Sequence, residues 1–398
     1  MAWNNLRYNT KRSIALILLI AVAAGAILLY QGYVEYSRAG MAAGYINSNG
    51  SMQIALNSYW NKAADSETVI DAADLQKLYR ILDNQKIISF YDSVLEYNGI
   101  IGNENNSAIF WAKGYDHPEK HFGVSQGTPI FSSDDGIVIG SVLAQKLHFV
   151  MNDEGIQLLS LMSNSPETGL CLGSFHVSGI VDTGVPQNDE GLLISTRQTA
   201  LSLLNMEDAA SYVQVYLHSN ETLHEVKKEF EAAFKKNKLP FSIKTWEELN
   251  PTFKQVNDLN ETQFFIISLI LGLLIFISLM QTLSTAFLER LDEFGTIEAI
   301  GMPKRTIIVM LLCETVFLIL FGLAAAGIVS CCADKFVNIF NIKMTPPGYS
   351  ISYPLQFYFV PVKVFHSILF VIASCFFAVL IPICAICRNT VVRLINHI

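Results

Sequence analysis

One cysteine, Cys171, is all that residues 33–262 contain, while Cys313, Cys331, Cys332, Cys375, Cys384 and Cys387 fall in or beside long apolar runs. No disulfide framework is available to that region, so its stability must come from an ordinary core. The chain also lacks a Walker P-loop, a Gly-x-Ser-x-Gly elbow, a His-Glu-x-x-His helix and cysteine pairs at zinc spacing. The expectation is a chain that is not itself catalytic and holds no cofactor or metal of its own. Charged residues make up only 16%, and basic ones are the scarcer: residues 33–260 carry 28 acidic and 16 basic side chains, a net of −12 against −8 for the whole chain. Such a surface disfavours nucleic acid and anionic membrane as ligands; attraction to a basic partner and plain solubility explain it about equally.

What the chain has in excess is apolar sequence, 51% of its 398 residues. Residues 14–32, 263–285, 306–331 and 364–387 are each long and apolar enough for a helix to cross a ~30 Å hydrocarbon core. The first also resembles a signal peptide, because Arg7, Lys11 and Arg12 precede a run containing small residues. Its length exceeds the usual signal core, and Tyr30 and Tyr33 sit where interfacial aromatics belong, which favours a retained span. Arg7, Lys11 and Arg12 at the front, with Arg388 and Arg393 at the back, place both termini in the cytoplasm. Four spans then put residues 33–262 and 332–363 outside. The N-terminal residues 1–13, with Trp3 and Leu6 near one face, read either as an amphipathic segment lying on the membrane or as a basic flank.

In the outer region the period shifts between strand and helix. A strand-like run at 51–59 precedes a helix at 71–84 with Leu75, Leu78, Tyr79 and Leu82 on one face; strands at 87–102 and 107–116 follow, joined by Gly-Asn-Glu-Asn-Asn. Much later a strand (211–219), a helix (220–237, with Leu223, Val226, Phe230 and Phe234 facing inward) and a strand (238–246) repeat the grammar. The two halves make a split βαβ arrangement interrupted in its middle. The interruption, 117–210, reads as a β-rich subdomain with short helices at 141–148 and 197–204. Its polar hairpin tip, 164–170, is either a solvated connector or a partner-binding element built on Ser165, Pro166, Glu167 and Thr168. From Trp246, with Leu249, Phe253, Val256 and Leu259 at helical spacing, one helix is expected to run unbroken into the second span.

Three smaller constellations stand out. His117 and His121, four apart, have metal-ligand spacing, but Asp116-His117-Pro118-Glu119 equally reads as a capped helix start. Glu314 lies about 12 Å into the third span, as a polar functional group or as a hydrogen bond to a neighbouring helix. Small residues at Ala21 and Gly25, and at Gly322, Ala326 and Ser330, suit close helix packing, and Pro382 bends or frees a carbonyl in the last span.

Between the second and third spans, residues 287–305 read FLERLDEFGTIEAIGMPKR, a brief amphipathic helix closed by a glycine turn. Its core, Glu293, Gly295, Ala299 and Gly301, followed by a helix with an early Glu314, resembles the signature of the FtsX/MacB-like permease superfamily of ABC transporters. AWNNLRYNTKR resembles the family's amphipathic N-terminus. Within the superfamily, AKGYDHPEK, GIVIGSVLAQKL, FHVSGIVDTGVPQNDEGLLIS and WEELNPTF resemble motifs of the lipoprotein-releasing LolC/LolE type. His117 intervenes before Pro118, and the 164–170 hairpin is shorter than a chaperone-binding hook.

The resemblance implies an α-helical membrane protein with four transmembrane helices plus an α+β extracytoplasmic domain, built as a ferredoxin-like porter (40–116 and 211–250) with a β-rich insertion (117–210). It implies an inner-membrane permease subunit with a cytoplasmic tail at 388–398, paired with a second permease subunit in a homo- or heterodimer. A separate cytoplasmic ABC ATPase would bind and hydrolyse ATP, and the loop at 286–305 would seat in it through Glu289, Arg290, Glu293, Gly295, Ala299 and Gly301. The expected work is extraction of lipoproteins from the bilayer for a periplasmic carrier. MacB-like efflux mechanotransmission and FtsX-like activation of cell-wall hydrolases are the alternatives.

Overall fold

Forty consecutive residues without an internal proline form the first helix of a computed structural model, α1 (Thr10–Asn49). The structure describes residues 10–61, 69–130, 135–151, 158–165, 168–219, 222–289, 296, 303–345 and 349–388. In chain order there follow β1 (Met52–Leu56), α2 (Asn57–Asn61), β2 (Ile70–Asp71), α3 (Ala72–Asp83), β3 (Ile88–Gly102), β4 (Ser107–Tyr115), β5 (Gln126–Gly127), β6 (Ile137–Gly140), α4 (Ser141–Lys146), β7 (Leu158–Ser165) and β8 (Gly169–Val181). Then come α5 (Pro186–Asp189), β9 (Leu192–Thr196), α6 (Arg197–Leu204), β10 (Ala209–Ala210), β11 (Tyr212–Leu217), α7 (Leu223–Lys236), β12 (Phe241–Thr245), α8 (Trp246–Leu249), α9 (Pro251–Glu289), α10 (Lys304–Ile339) and α11 (Pro361–Arg388). The chain divides into two compact units: residues 1–40, 255–344 and 354–398 form one, and 41–254 with 345–353 the other.

The mixed unit begins from local rules that the sequence obeys. Asp71 caps α3 by accepting from the Asp74 amide at 2.7 Å, a contact worth about 1 kcal/mol. Leu75, Leu78 and Leu82 of α3 and Leu223, Val226, Phe230 and Phe234 of α7 are buried in one cluster with Met52, Ile54, Val213, Val215 and Ile243. Burying each of these large side chains contributes about 2 kcal/mol. The sheet beneath them runs β12-β1-β11-β3, every pair antiparallel. Two β-α-β pieces, far apart in sequence, therefore interleave in one sheet.

The interruption closes on itself. From β3 the ladder runs to β4, β9, β6, β8 and β7, and β7 pairs back with β3, giving a six-stranded barrel. Tyr97, Ile101, Phe110, Ile137, Ile139, Leu159, Leu161 and Leu193 belong to its core, and α6 packs against β3, β4, β7, β8 and β9. The Tyr97 and Ser195 hydroxyls meet at 2.9 Å inside, which satisfies two buried polar groups. Closure needs β7 to approach β3 at Gly99, where a Cβ would lie 2.0 Å from the Met162 carbonyl oxygen.

This topology moves the expected boundary at residue 116/117. β4 belongs to the barrel, and β3 serves both structures: Ile88–Val94 pair with β11, and Gly99–Gly102 pair with β7. A fifteen-residue strand is long enough to do both, which residue alternation alone does not show. Three local expectations also change. The strand at 51–59 stops at Leu56 and turns helical. The helix at 246–262 breaks at Asn250, whose φ of −122° and ψ of 73° leave the helical region, and Pro251 starts α9. Around Pro118 there is only one 3₁₀ turn, Pro118–Lys120, with no side-chain cap, because Asp116 instead binds Arg197 at 2.6 Å.

Among the described residues, helices α1, α9, α10 and α11 are the four long and apolar enough to cross a membrane, and each contains one expected span. Their shared core includes Leu16, Ile20, Ala23 and Ile27 of α1, Ile275 and Leu279 of α9, Leu318 and Ala326 of α10, and Val371, Cys375 and Ala378 of α11. The first segment is thus an integral wall of this unit. The small residues act as expected: Gly322 faces Ile20, with a Cβ only 2.6 Å from it, and Gly25 lies against Ala326, Val329 and Ser330.

Candidate functional site

The loop between α9 and α10 enters the described structure at its margins and at Thr296. Arg290, Glu293, Gly295, Ala299 and Gly301 lie outside the described residues. Glu289 is the last residue of α9, and both of its carboxylate oxygens accept from Arg12 near the start of α1, Nη2 at 2.6 Å. The fork geometry fits a carboxylate bidentately and ties the foot of α9 to the foot of α1. On the far side of the loop, Pro303 has φ of −73° and ψ of 144° and its carbonyl accepts from the Thr306 amide, opening α10. Glu314 is half-buried on α10, beside Thr315, whose hydroxyl bonds back to the Leu311 carbonyl.

A polar ladder at the other ends of the helices was not read from the sequence. Gln31 of α1 accepts from the Ser367 hydroxyl of α11 at 2.7 Å. One turn away Glu35, only 3% exposed, pairs with Lys363, and its other oxygen takes Arg38 at 3.1 Å. The segment leading into α11 wraps the same turn of α1: the Tyr358 amide donates to the Gly32 carbonyl, and the Tyr36 hydroxyl donates to the Pro354 carbonyl. The signal was present as matched spacing, Gln31 and Glu35 against Lys363 and Ser367, with opposite charges just beyond two apolar runs.

In the mixed unit, His117 and His121 do converge, but on a carboxylate. Asp92, fully buried, accepts from the His117 amide at 3.2 Å and lies 3.1 Å from its Nδ1 and 2.7 Å from His121 Nε2. The other nitrogen of His121 meets the Tyr216 hydroxyl at 3.0 Å. The pair is a hydrogen-bonded clasp on β3, and no cluster that could hold a metal occurs among the described residues.

Two of the outer motifs also converge. Asp189, completely buried, accepts from the Thr183 hydroxyl at 2.7 Å, the Thr183 amide at 3.1 Å and the Ser141 hydroxyl at 3.2 Å. Burial pushes its pKa up, against the pull of these donors. The carboxylate thereby fastens the Gly140–Ser141 turn to the Asp182-Thr183-Gly184 turn. Gly184, at φ +79°, in turn accepts from the Ser350 amide at 2.8 Å.

The hairpin proposed for partner binding divides. Pro166 and Glu167 lie outside the described residues. Ser165 is buried at the end of β7, and the exposed Thr168 donates to the Leu204 carbonyl at 3.2 Å. The conspicuous exposed groups are instead apolar, Leu170 at 65% and Leu172 at 72%.

Residues 265–391 match the FtsX-like permease C-terminal family, a stretch containing most of α9, the loop, α10 and α11. A curated relative, an uncharacterized ABC transporter permease of Methanocaldococcus jannaschii, is 28% identical over 155 residues. That alignment spans 37% of this chain and 38% of the relative. Among solved structures, the periplasmic region of MacB from Actinobacillus actinomycetemcomitans is 16% identical, with a TM-score of 0.38 over 52% of this chain and 94% of that one. The extracellular domain of the transporter YknZ from Gram-positive bacteria is 10% identical, with a TM-score of 0.35 over 49% and 99%. Structural likenesses this slight leave the fold of the mixed unit to rest on its own topology. The two sequence matches support an ABC transporter permease of FtsX type.

Proposed function

We propose that this chain is the membrane permease subunit of an ABC transporter whose ATP is hydrolysed by a separate cytoplasmic ATPase, seated on the loop at 286–305. The observation that carries the reading is the family match over 265–391, which includes that loop and the helices on both sides of it. In this reading both termini are cytoplasmic, the mixed unit is outside the inner membrane, and its β12-β1-β11-β3 sheet with α3 and α7 is a ferredoxin-like porter. The chain works as a pair with a second permease subunit. Glu289, held by Arg12, marks where force from the ATPase enters α9. The proposed cargo is lipoproteins, drawn from the bilayer and passed to a periplasmic carrier, on the strength of the outer motifs now seen to meet at Asp189.

Gly301→Pro, or reversal of charge at Glu293, is expected to abolish co-purification of the ATPase while the chain stays inserted. Retention of the ATPase by both variants refutes the role of the loop. Depletion of the chain is expected to leave lipoproteins in the inner membrane, and unaltered sorting refutes the cargo.

A further inference from the structure

The last four carbonyls of a helix have no partner within it, and α1 ends at Asn49. The Ile46 carbonyl accepts from the Gly50 amide at 2.8 Å, and the next three are met by side chains of the sheet. Gln53 of β1 donates Nε2 to the Asn49 carbonyl at 3.0 Å, Gln214 of β11 donates Nε2 to the Ser48 carbonyl at 3.1 Å, and the Tyr216 hydroxyl of β11 lies 3.1 Å from the Asn47 carbonyl. Each glutamine amide has a hydrogen to spare. Tyr216 has a single one, and three acceptors face it.

Those acceptors are the Asn47 carbonyl, Gln214 Oε1 at 3.1 Å and His121 Nδ1 at 3.0 Å. Which of them receives the hydrogen depends on His121. Its side chain is 1% exposed, and its Nε2 lies 2.7 Å from the buried Asp92 Oδ2, so Nε2 is the nitrogen that carries a hydrogen in either protonation state. With the imidazole neutral, Nδ1 is a bare acceptor and takes the Tyr216 hydrogen. With the imidazolium formed, Nδ1 donates to the Tyr216 oxygen instead. The hydroxyl hydrogen then turns to the Asn47 carbonyl, or to the amide of Gln214 that holds Ser48, and either bond strengthens the last turn of α1. Tyr216 keeps its own proton throughout, since burial, and after it the Asp92 charge, push the phenol above its ordinary range.

The titratable and charged groups around the imidazole are Asp92 on β3, Tyr115 on β4, whose ring stacks on it at 4.5 Å, Tyr216 on β11 and, on its own loop, Asp116, His117, Glu119 and Lys120. Asp116 is held by Arg197 at 2.6 Å, and His117 lies on the other oxygen of Asp92 at 3.1 Å. We propose that Asp92, His121 and Tyr216 form a proton-operated latch on the C-terminal turn of α1, closed when the imidazole is protonated and open when it is neutral. The hold is therefore present at low pH and lost as pH rises. Imidazole is the side chain whose charge ordinarily changes between about pH 5 and 8, and α1 is the helix that contains the first span, so the grip of a membrane helix on its sheet depends on acidity. The latch needs neither the ATPase nor the cargo proposed above.

The test uses the full-length chain in lipid nanodiscs and hydrogen exchange at the Ser48, Asn49 and Gly50 amides, corrected for the intrinsic pH dependence of exchange. One capping hydrogen bond is expected to protect them about fivefold more at about pH 5.5 than at about pH 8. Tyr216→Phe removes only the hydroxyl and should sit at the low level at both values. His121→Gln keeps a donor for Asp92 but puts no acceptor in place of Nδ1, so the Tyr216 hydrogen goes to α1 at every pH and protection should stay high. Two variants fixed at opposite levels form a pattern that loss of packing does not produce. His117→Asn, on the same carboxylate but away from Tyr216, should keep the pH response. Melting temperatures screen the variants, and Tyr216→Phe against the unaltered chain decides the matter should His121→Gln not fold. Equal protection of the unaltered chain at both pH values would overturn the latch, as would a response that survives in Tyr216→Phe. A response lost in His117→Asn would overturn the assignment to His121. Low protection at both pH values in a folded His121→Gln chain would show that the imidazole itself holds the turn, and would overturn the transfer of the Tyr216 hydrogen.

Discussion

Arg12 and Glu289 join the first helix to the last residue of the second long membrane helix, through two parallel N–H···O contacts, Nη2 at 2.6 Å. Their side chains are 42% and 49% exposed, so water screens the pair and its effect on stability is small. Its effect on position is larger, since it fixes where the loop departs. Arg12→Gln is expected to leave the melting temperature within error while weakening co-purification of the ATPase. Arg12→Glu combined with Glu289→Arg should recover the association. Full association of the Arg12→Gln chain would remove any coupling role for the contact.

The four membrane helices were legible because runs of Leu, Ile, Val and Phe of that length suit a hydrocarbon core and little else, and α3 and α7 because their leucines and phenylalanines keep helical spacing. Closure of the barrel was not. It depends on the pairing of Gly99–Gly102 with Ser160–Ser163, a contact between strands that share no local signal. The His117–His121 spacing was visible, but the buried carboxylate between them sits on β3, 25 residues upstream of the first. The polar ladder of Glu35 and Lys363 was hidden for the same reason, as its halves are 328 residues apart.

That ladder makes an asymmetric prediction. Glu35 is 3% exposed and Lys363 41%, so removing either partner leaves a different residue behind. Lys363→Met strands a buried carboxylate with Arg38 alone and is expected to cost about 2 kcal/mol. Glu35→Gln releases Lys363 to solvent, and the amide still accepts one hydrogen bond, so under about 1 kcal/mol is expected. Thermal melts in detergent rank the two. The reverse ranking would mean that Glu35 is not buried in the working protein.

A second pair of substitutions tests the docking of residues 349–353 on the barrel. Gly184, at φ +79°, would place a Cβ 3.1 Å from the Tyr353 hydroxyl and 3.2 Å from Ile351. Gly169 has φ of +77° and nothing within 4 Å of a Cβ. Both alanine variants bear the left-handed backbone cost, about 1 kcal/mol. Only Gly184→Ala should also loosen the Ser350 amide, which donates to the Gly184 carbonyl at 2.8 Å. Hydrogen exchange reads this directly, and equal protection of Ser350 in both variants would show that the segment is held by other contacts.

Glu248 supplies the pH dependence. Thr245 and Glu248 form a capping box at α8, and Lys227 reaches both Glu248 oxygens at 2.7 Å. Burial raises its pKa, but Lys227 and the hydrogen bonds from Thr245 outweigh burial and hold the carboxyl below its ordinary value. A carboxylate with a depressed folded-state pKa binds fewer protons folded than unfolded in the window between the two values. Its stabilisation is therefore complete above the unfolded value of about 4.3 and is lost as pH falls through the folded one. Glu248→Gln keeps the box geometry and loses the charge. With the side chain 48% exposed, the expected deficit at pH 7 is only a few tenths of a kcal/mol, about what a screened pair contributes. Paired melts of the two proteins at neutral pH and below about pH 4 should show the gap closing. A gap that persists unchanged in acid would locate the loss in the cap rather than in the ion pair with Lys227.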